Sequence, residues 1–276
     1  MTIASEITAL QTNLAAAKSA VTTKGGTVGD TGLAGLASEI ATIPSGGGGE
    51  DWGTVTFSSG GQTKTVTIQN EGEYNSLCIY GSSREIGGET FWNSDISEVK
   101  LGKSATYAPN NFLRGATNMT TLTGTENLRM IGDNFLYTCQ KLDSAMDLSK
   151  ATNIHDNFMY GCTVFNKAVT ISSVTYIGGS FMSECNNFAQ TLTVPAGVTS
   201  VGANFMYNCK KVTALVVNSP TSNSALTSSN NSLATNDNTA PMYTTGVTVT
   251  GSQATRWKNR LGDRSSSPYR KLILGT

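Results

Sequence analysis

Histidine is almost missing from this chain. His155 is the only one among 276 residues, and charged side chains make up 14%. Basic and acidic residues balance at 19 each, so the formal net charge is zero. Such a balance gives no long-range attraction for nucleic acid or an anionic membrane. There are five cysteines but no Cys-x-x-Cys pair, and a lone histidine leaves no ligand set for zinc. We therefore expect no metal and no cofactor. No apolar run approaches the ~20 residues of a spanning helix, so membrane insertion is not expected. Residues 1–25 lack a continuous apolar core, and no export signal is expected there. Solubility must rest on uncharged Ser, Thr, Asn and Gly.

Catalysis is equally short of parts. Any Ser–His–Asp or Cys–His set has to use His155, which stands where other copies of a repeated turn have Gly132, Gly178 and Gly202. We read it as a turn substitution. Asp133, Asp143, Asp147, Asp156 and Glu184 share no slot that recurs in every copy, so no paired-carboxylate site is indicated. Gly102-Lys-Ser104 resembles the end of a phosphate-binding loop, but Ser97 stands where the first glycine is required. No catalytic residue is expected, and the chain is not read as an enzyme.

What is present is a repeat. Ala108-Pro-Asn-Asn-Phe112, Ile131-Gly-Asp-Asn-Phe135, Ile154-His-Asp-Asn-Phe158, Ile177-Gly-Gly-Ser-Phe181 and Val201-Gly-Ala-Asn-Phe205 follow one another at a period of 23, 23, 23 and then 24 residues. Four residues after each Phe comes Ala116, Cys139, Cys162, Cys185 or Cys209, and three further on Met119, Leu142, Phe165, Phe188 or Val212. A fixed period in this range marks a solenoid, whose units bury their apolar edges against one another. The recurring cysteines are read as inward core thiols and not as disulfides. Each unit ends in a short alternating stretch: Ala145–Leu148, Ala168–Ile171, Thr191–Val194 and Ala214–Val217. Period-2 alternation predicts one short strand per unit, stacked in a parallel sheet down one side with turns on the other.

Units of the form Ile-Gly-x-x-Phe-x-x-x-Cys-x-x-Leu followed by a strand resemble the BspA-type leucine-rich repeats. Thr191-Leu-Thr-Val-Pro-Ala-Gly-Val-Thr-Ser-Val201 is most similar, while Ala108 and Ala116 depart from the pattern. The resemblance implies a binding scaffold, commonly a surface adhesin, without catalytic residues.

Residues 3 to 21 carry a narrow helical stripe of Ile3, Ile7, Leu10, Leu14, Ala17 and Val21. A helix with so thin a stripe needs a partner. That partner is either Leu33–Ile43, making a hairpin, or sister chains, making a three-chain bundle; we favour the bundle. This segment, over residues 5 to 44, resembles the N-terminal part of many tailed-phage tail and fibre proteins, which implies attachment to the particle or assembly with sister chains. A Gly-rich linker follows Pro44. Thr54–Phe57, Lys64–Ile68 and Ser76–Tyr80 are predicted strands, with Ser58–Gly61 as a turn. They form either an N-terminal cap or a small separate sandwich. Pro220–Pro241 reads as a loop, and a strand, a short helix around Trp257 and a final strand would close the other end.

The chain thus divides into 1–44 helical attachment, 45–50 linker, 51–104 β-rich cap, 105–219 solenoid of about five coils, and 220–276 loop and C-terminal cap. The fold expected is mainly β, a leucine-rich-repeat solenoid. Asn111, Asn134, Asn157 and Asn204 are read as satisfying turn backbone. Tyr137, Tyr160 and Tyr207 share one slot and are expected in a row, either shielding the turns or contacting sugars and proteins. Asp147, Thr170, Thr193 and Val216 form the other outward face. The function expected is a fibre-like phage virion protein binding a host-surface glycan or protein, as a homotrimer held to other virion proteins by its N-terminal segment. A decoration or baseplate protein and a bacterial adhesin or scaffold are the alternatives.

Overall fold

The structure is a computed structural model and describes residues 50–219, 246–261 and 272–275. The helical stripe of Ile3 to Val21, the linker through Gly49 and the Pro220–Pro241 loop lie outside the described residues.

The described chain begins with a hairpin of β1 (Gly53–Ser59) and β2 (Gln62–Thr67). Ser59 pairs with Gln62, leaving Gly60 and Gly61 as a two-residue turn at φ 58° and 78°. Both central residues of this tight hairpin need positive φ, which glycine adopts without a clash. The next segment corrects the sequence reading. Ser76–Tyr80 is not a strand, because Glu71–Ser76 forms a helix, α1. Asn70 caps it by accepting from the Glu73 backbone N–H at 2.9 Å, and two glutamates occupy its first turn. That N-terminal chemistry outweighs the short apolar run behind it. A small hairpin follows, β3 (Arg84–Ile86) with β4 (Glu89–Phe91), and then β5 (Ile96–Leu101).

The repeats run through β6 (Tyr107–Ala108), β7 (Thr121–Thr123), β8 (Met130–Ile131), β9 (Met146–Asp147), β10 (Asn153–Ile154), β11 (Val169–Thr170), β12 (Tyr176–Ile177), β13 (Leu192–Val194), β14 (Ser200–Val201) and β15 (Ala214–Val217). Here the single strand per unit is also corrected: each coil carries two. One column is the five-stranded parallel sheet β6-β8-β10-β12-β14. The other runs through β5-β7, β9-β11 and β13-β15. The strands of the first column span two residues each, and the sequence reading places those residues in turns.

The cap is built into this stack. β5 pairs antiparallel with β1 on one side and parallel with β7 on the other. Buried apolar residues form one cluster from Trp52 to Trp257, which excludes a separate sandwich. At the far end β16 (Val247–Thr250) and β17 (Leu272–Leu274) extend the second column in parallel. Helix α2 (Ala254–Leu261) seats Trp257 against the last coil, where its Nε1 donates to the Ser219 carbonyl at 3.2 Å.

The core is a stack of rings. Phe112, Phe135, Phe158, Phe181 and Phe205 are fully buried, with centroids 6.0, 5.5, 4.9 and 5.5 Å apart and interplanar angles of 10° or less. Tyr74 of α1 closes one end at 5.2 Å and Trp257 the other, edge-on, at 5.8 Å. Removing a mid-column ring opens a cavity bounded above and below by rigid rungs that cannot collapse into it. Phe158→Ala is therefore expected to cost about 3–5 kcal/mol in chemical denaturation, and Phe158→Leu clearly less. Equal costs for the two would show that the column tolerates an unfilled rung.

Candidate functional site

The turns after each Phe set what the surface can display. In one coil Asn134, Leu136 and Thr138 hold φ of 59°, 55° and 59°; in the next Asn157, Met159 and Gly161 hold 61°, 52° and 72°. These are the residues whose N–H groups leave the coil. Asn134 N donates to Asp156 O at 2.8 Å, Leu136 N back to Phe112 O at 3.0 Å, and Thr138 N to Tyr160 O at 2.7 Å. Residues between them close local turns, as Tyr137 N does to Asn134 O. The Asn slot is thus chosen for its tolerance of left-handed backbone. Three of its side chains bond one another: Asn134 Nδ2 donates to Asn111 Oδ1 and Asn157 Nδ2 to Asn134 Oδ1, both at 3.0 Å. This replaces the sequence expectation for that slot. The slot after Phe takes Leu113, Leu136, Met159, Met182 and Met206, all unbranched at Cβ and all at positive φ.

The thiols are part of the same arrangement. Sγ of Cys139, Cys162 and Cys185 each donates at 3.2 Å to the carbonyl of that left-handed residue one coil back, and Cys209 at 2.9 Å. None of the five cysteines is in a disulfide. Burial pushes the Cys139, Cys162 and Cys185 thiols above the ordinary 9.0 and Cys78 up to about 12. The thiolate is what reacts, so these thiols are inert cores of the rungs.

On the outside, the tyrosine slot forms a strip. Tyr137 and Tyr160 stack at 4.9 Å and 7°. Arg114 fills the same slot one coil earlier, its guanidinium 4.9 Å from the Tyr137 centroid and 4.4 Å from that of Tyr80. The sequence reading missed both members, although Arg114 was visible two residues after Phe112. Tyr80 comes from the loop after α1, and only the chain fold brings it here. A Cβ at Gly115 would lie 2.9 Å from Tyr80 Cε2, so glycine is what lets that ring lie flat. Among the described residues Arg114 forms no ion pair; its Nη1 donates to Asn111 Oδ1 at 3.3 Å. Asn93 ties the strip to the cap by donating to the carbonyls of Arg114 and Ile79, at 2.5 and 3.1 Å. Tyr80 is 59% exposed, high for an aromatic ring. Tyr207 is not stacked on Tyr160, because Ser183 occupies the slot between them. Burial and the nearby Glu184 carboxylate raise the Tyr160 and Tyr207 hydroxyls above their usual range.

Asp147, Thr170 and Thr193 stand exposed on the second strand column. Asp147 and Thr170 are register partners. The Ser149 hydroxyl and backbone N–H hold the Asp147 carboxyl below its ordinary value. Thr193 lies on β13, beyond a break in the sheet, so the structure puts these residues on a face separate from the tyrosine slot. His155 packs its ring 5.8 Å from Tyr176 in a turn. Among the described residues no three His, Cys, Asp or Glu side chains converge on a metal position, and no helix is long and apolar enough to cross a membrane.

A family model described as BspA type leucine rich repeat region matches six copies, over residues 64–166 and 152–238. The chain belongs to the BspA-type leucine-rich repeat family. The matched span enters the cap and passes the last Phe-x-x-x-Cys unit. No curated protein and no solved structure matches the chain.

Two measurements check the turn chemistry. Met159→Ile puts a β-branched side chain into left-handed backbone and is expected to lower stability by about 1–2 kcal/mol more than Met159→Leu; equal values would contradict it. A disulfide-exchange reagent at pH 8 is expected to find no fast thiol in the folded protein and all five after denaturation. Unfolded thiols ionise near 9.0 while the folded ones stay protonated, so stability is expected to fall as pH rises above that value.

Proposed function

We propose that this chain is a fibre-like bacteriophage virion protein whose repeat domain adheres to the host surface without turning over a substrate. The observation that carries this reading is the strip Tyr80–Arg114–Tyr137–Tyr160. Tyr, Trp and Arg are the side chains that dominate binding hot spots. Here they stack on one another from coil to coil and lie partly exposed, with Arg114 in no ion pair among the described residues. Such a surface suits a host glycan or protein. The N-terminal stripe and glycine linker support the rest: a three-chain bundle would attach to other virion proteins and carry several repeat domains on flexible tethers, so that weak contacts add through avidity. A bacterial adhesin or scaffold is the second reading, favoured by the family itself.

Three experiments test it with the full chain. Light scattering is expected to give a trimer, and Leu10→Lys with Leu14→Lys a monomer whose circular dichroism in the repeat is unchanged; a monomeric parent chain overturns the anchoring role. Adhesion to host cells is expected to fall about tenfold or more in Arg114→Ala and Tyr137→Ala, the loss of one hot-spot side chain each. Antibody against the repeat should label purified virions. Labelling of a bacterial envelope instead would favour the second reading.

A further inference from the structure

The second strand column is interrupted. β9 and β11 form one sheet and β13, β15, β16 and β17 another, with no strand pairing between β11 and β13. The coil beyond the break is the longer one: Ile171 to Val174 is three steps, but Val194 to Val198 is four, with Pro195 in the added stretch. In the break lies a groove of about 330 Å³ lined by Val169, Pro195 and the hydroxyl-bearing Thr170, Ser172, Thr191 and Thr193. All four hydroxyl residues are exposed. Charge is absent from the lining, and Asp147, register partner of Thr170, stands beside it.

This lining selects among ligands. Cα atoms of β11 and β13 still come within 8 Å, whereas a strand inserted between them needs about 9.6 Å, two spacings of ~4.8 Å. An extended peptide is too thick. An anion finds no cation and meets the Asp147 carboxylate. A neutral sugar ring has an apolar C–H face for Val169 and Pro195, and hydroxyl edges that can both donate to and accept from Thr and Ser. The volume is at the small end of ligand sites, which run from about 300 Å³, and fits one or two rings.

We propose that the groove between β11 and β13 binds a neutral saccharide, with Thr170 and Thr193 as its principal hydrogen-bonding residues and Asp147 accepting from a hydroxyl at the rim. As a host-glycan subsite the groove rests on the adhesion reading, but its own binding can be measured without host cells. Glucose, galactose, mannose, N-acetylglucosamine and their disaccharides are titrated into the full chain and followed by NMR, with glucuronic acid and an extended peptide as comparisons. At least one neutral sugar is expected to bind, and Thr170→Val with Thr193→Val, which keep the β-branched shape, to weaken it about tenfold or more with the thermal midpoint unchanged. Tyr137→Ala should leave this binding intact. No neutral sugar bound, binding unaffected by the two valines, or preference for the acid or the peptide overturns the proposal. Sugar binding in a protein that fails to adhere to cells overturns the adhesion reading and leaves the groove standing. Adhesion lost in Tyr137→Ala but unchanged in the valine variants overturns the groove's part in it.

Discussion

Each rung of this molecule must hand its backbone hydrogen bonds to the rungs on either side, and everything else follows from that spacing. In the strands the ladder does this without strain. In the turns it requires three residues per coil to hold left-handed backbone, so that their N–H groups point along the stack. For a residue with a Cβ that conformation costs roughly 1–2 kcal/mol; asparagine tolerates it better, and glycine without penalty. A net hydrogen bond contributes about 0.5–1.5 kcal/mol. Backbone bonding alone would barely offset the turns. The surplus comes from the buried rings, each of which fills the space between two rungs and rests on its neighbours.

That balance explains which side chains repeat. Phe recurs because a flat ring fills that slot and stacks face to face on its neighbours at rung spacing. Cys recurs because its slot needs a small apolar group that can also donate a weak hydrogen bond to the left-handed carbonyl one coil back; Ala116 fills the same space in the first coil and cannot donate. Leu and Met recur after Phe because β-branched Val and Ile are disfavoured in that backbone. The ends cannot hand bonds onward, so they are covered by different devices: an antiparallel hairpin and Tyr74 at one end, strand extension and Trp257 at the other.

A scaffold of this kind leaves its outward slots free of structural duty, and two surfaces emerge from them. One is aromatic and holds a lone cation; the other is hydroxylated and uncharged. The first depends on the rungs being regular, since Arg114, Tyr137 and Tyr160 align only because their coils do. The second lies where the column is interrupted, between β11 and β13, which do not pair.

The sequence alone determined the repeat, its period, the five Phe, the four thiols and the shared tyrosine slot, because a solenoid writes its geometry directly into residue spacing. It also placed Asp147, Thr170 and Thr193 on an outward face through their alternation. The tertiary structure decided what spacing cannot carry. The first strand column has no alternating stretch to announce it, and backbone handedness is not a residue type. Helix α1 turned on a capping bond that local apolar character hid. Tyr80 joins Arg114 from another part of the chain, and the break between β11 and β13 exists only where two coils fail to pair. Such contacts depend on distances between segments far apart in the chain, and those distances are set only when the rungs stack.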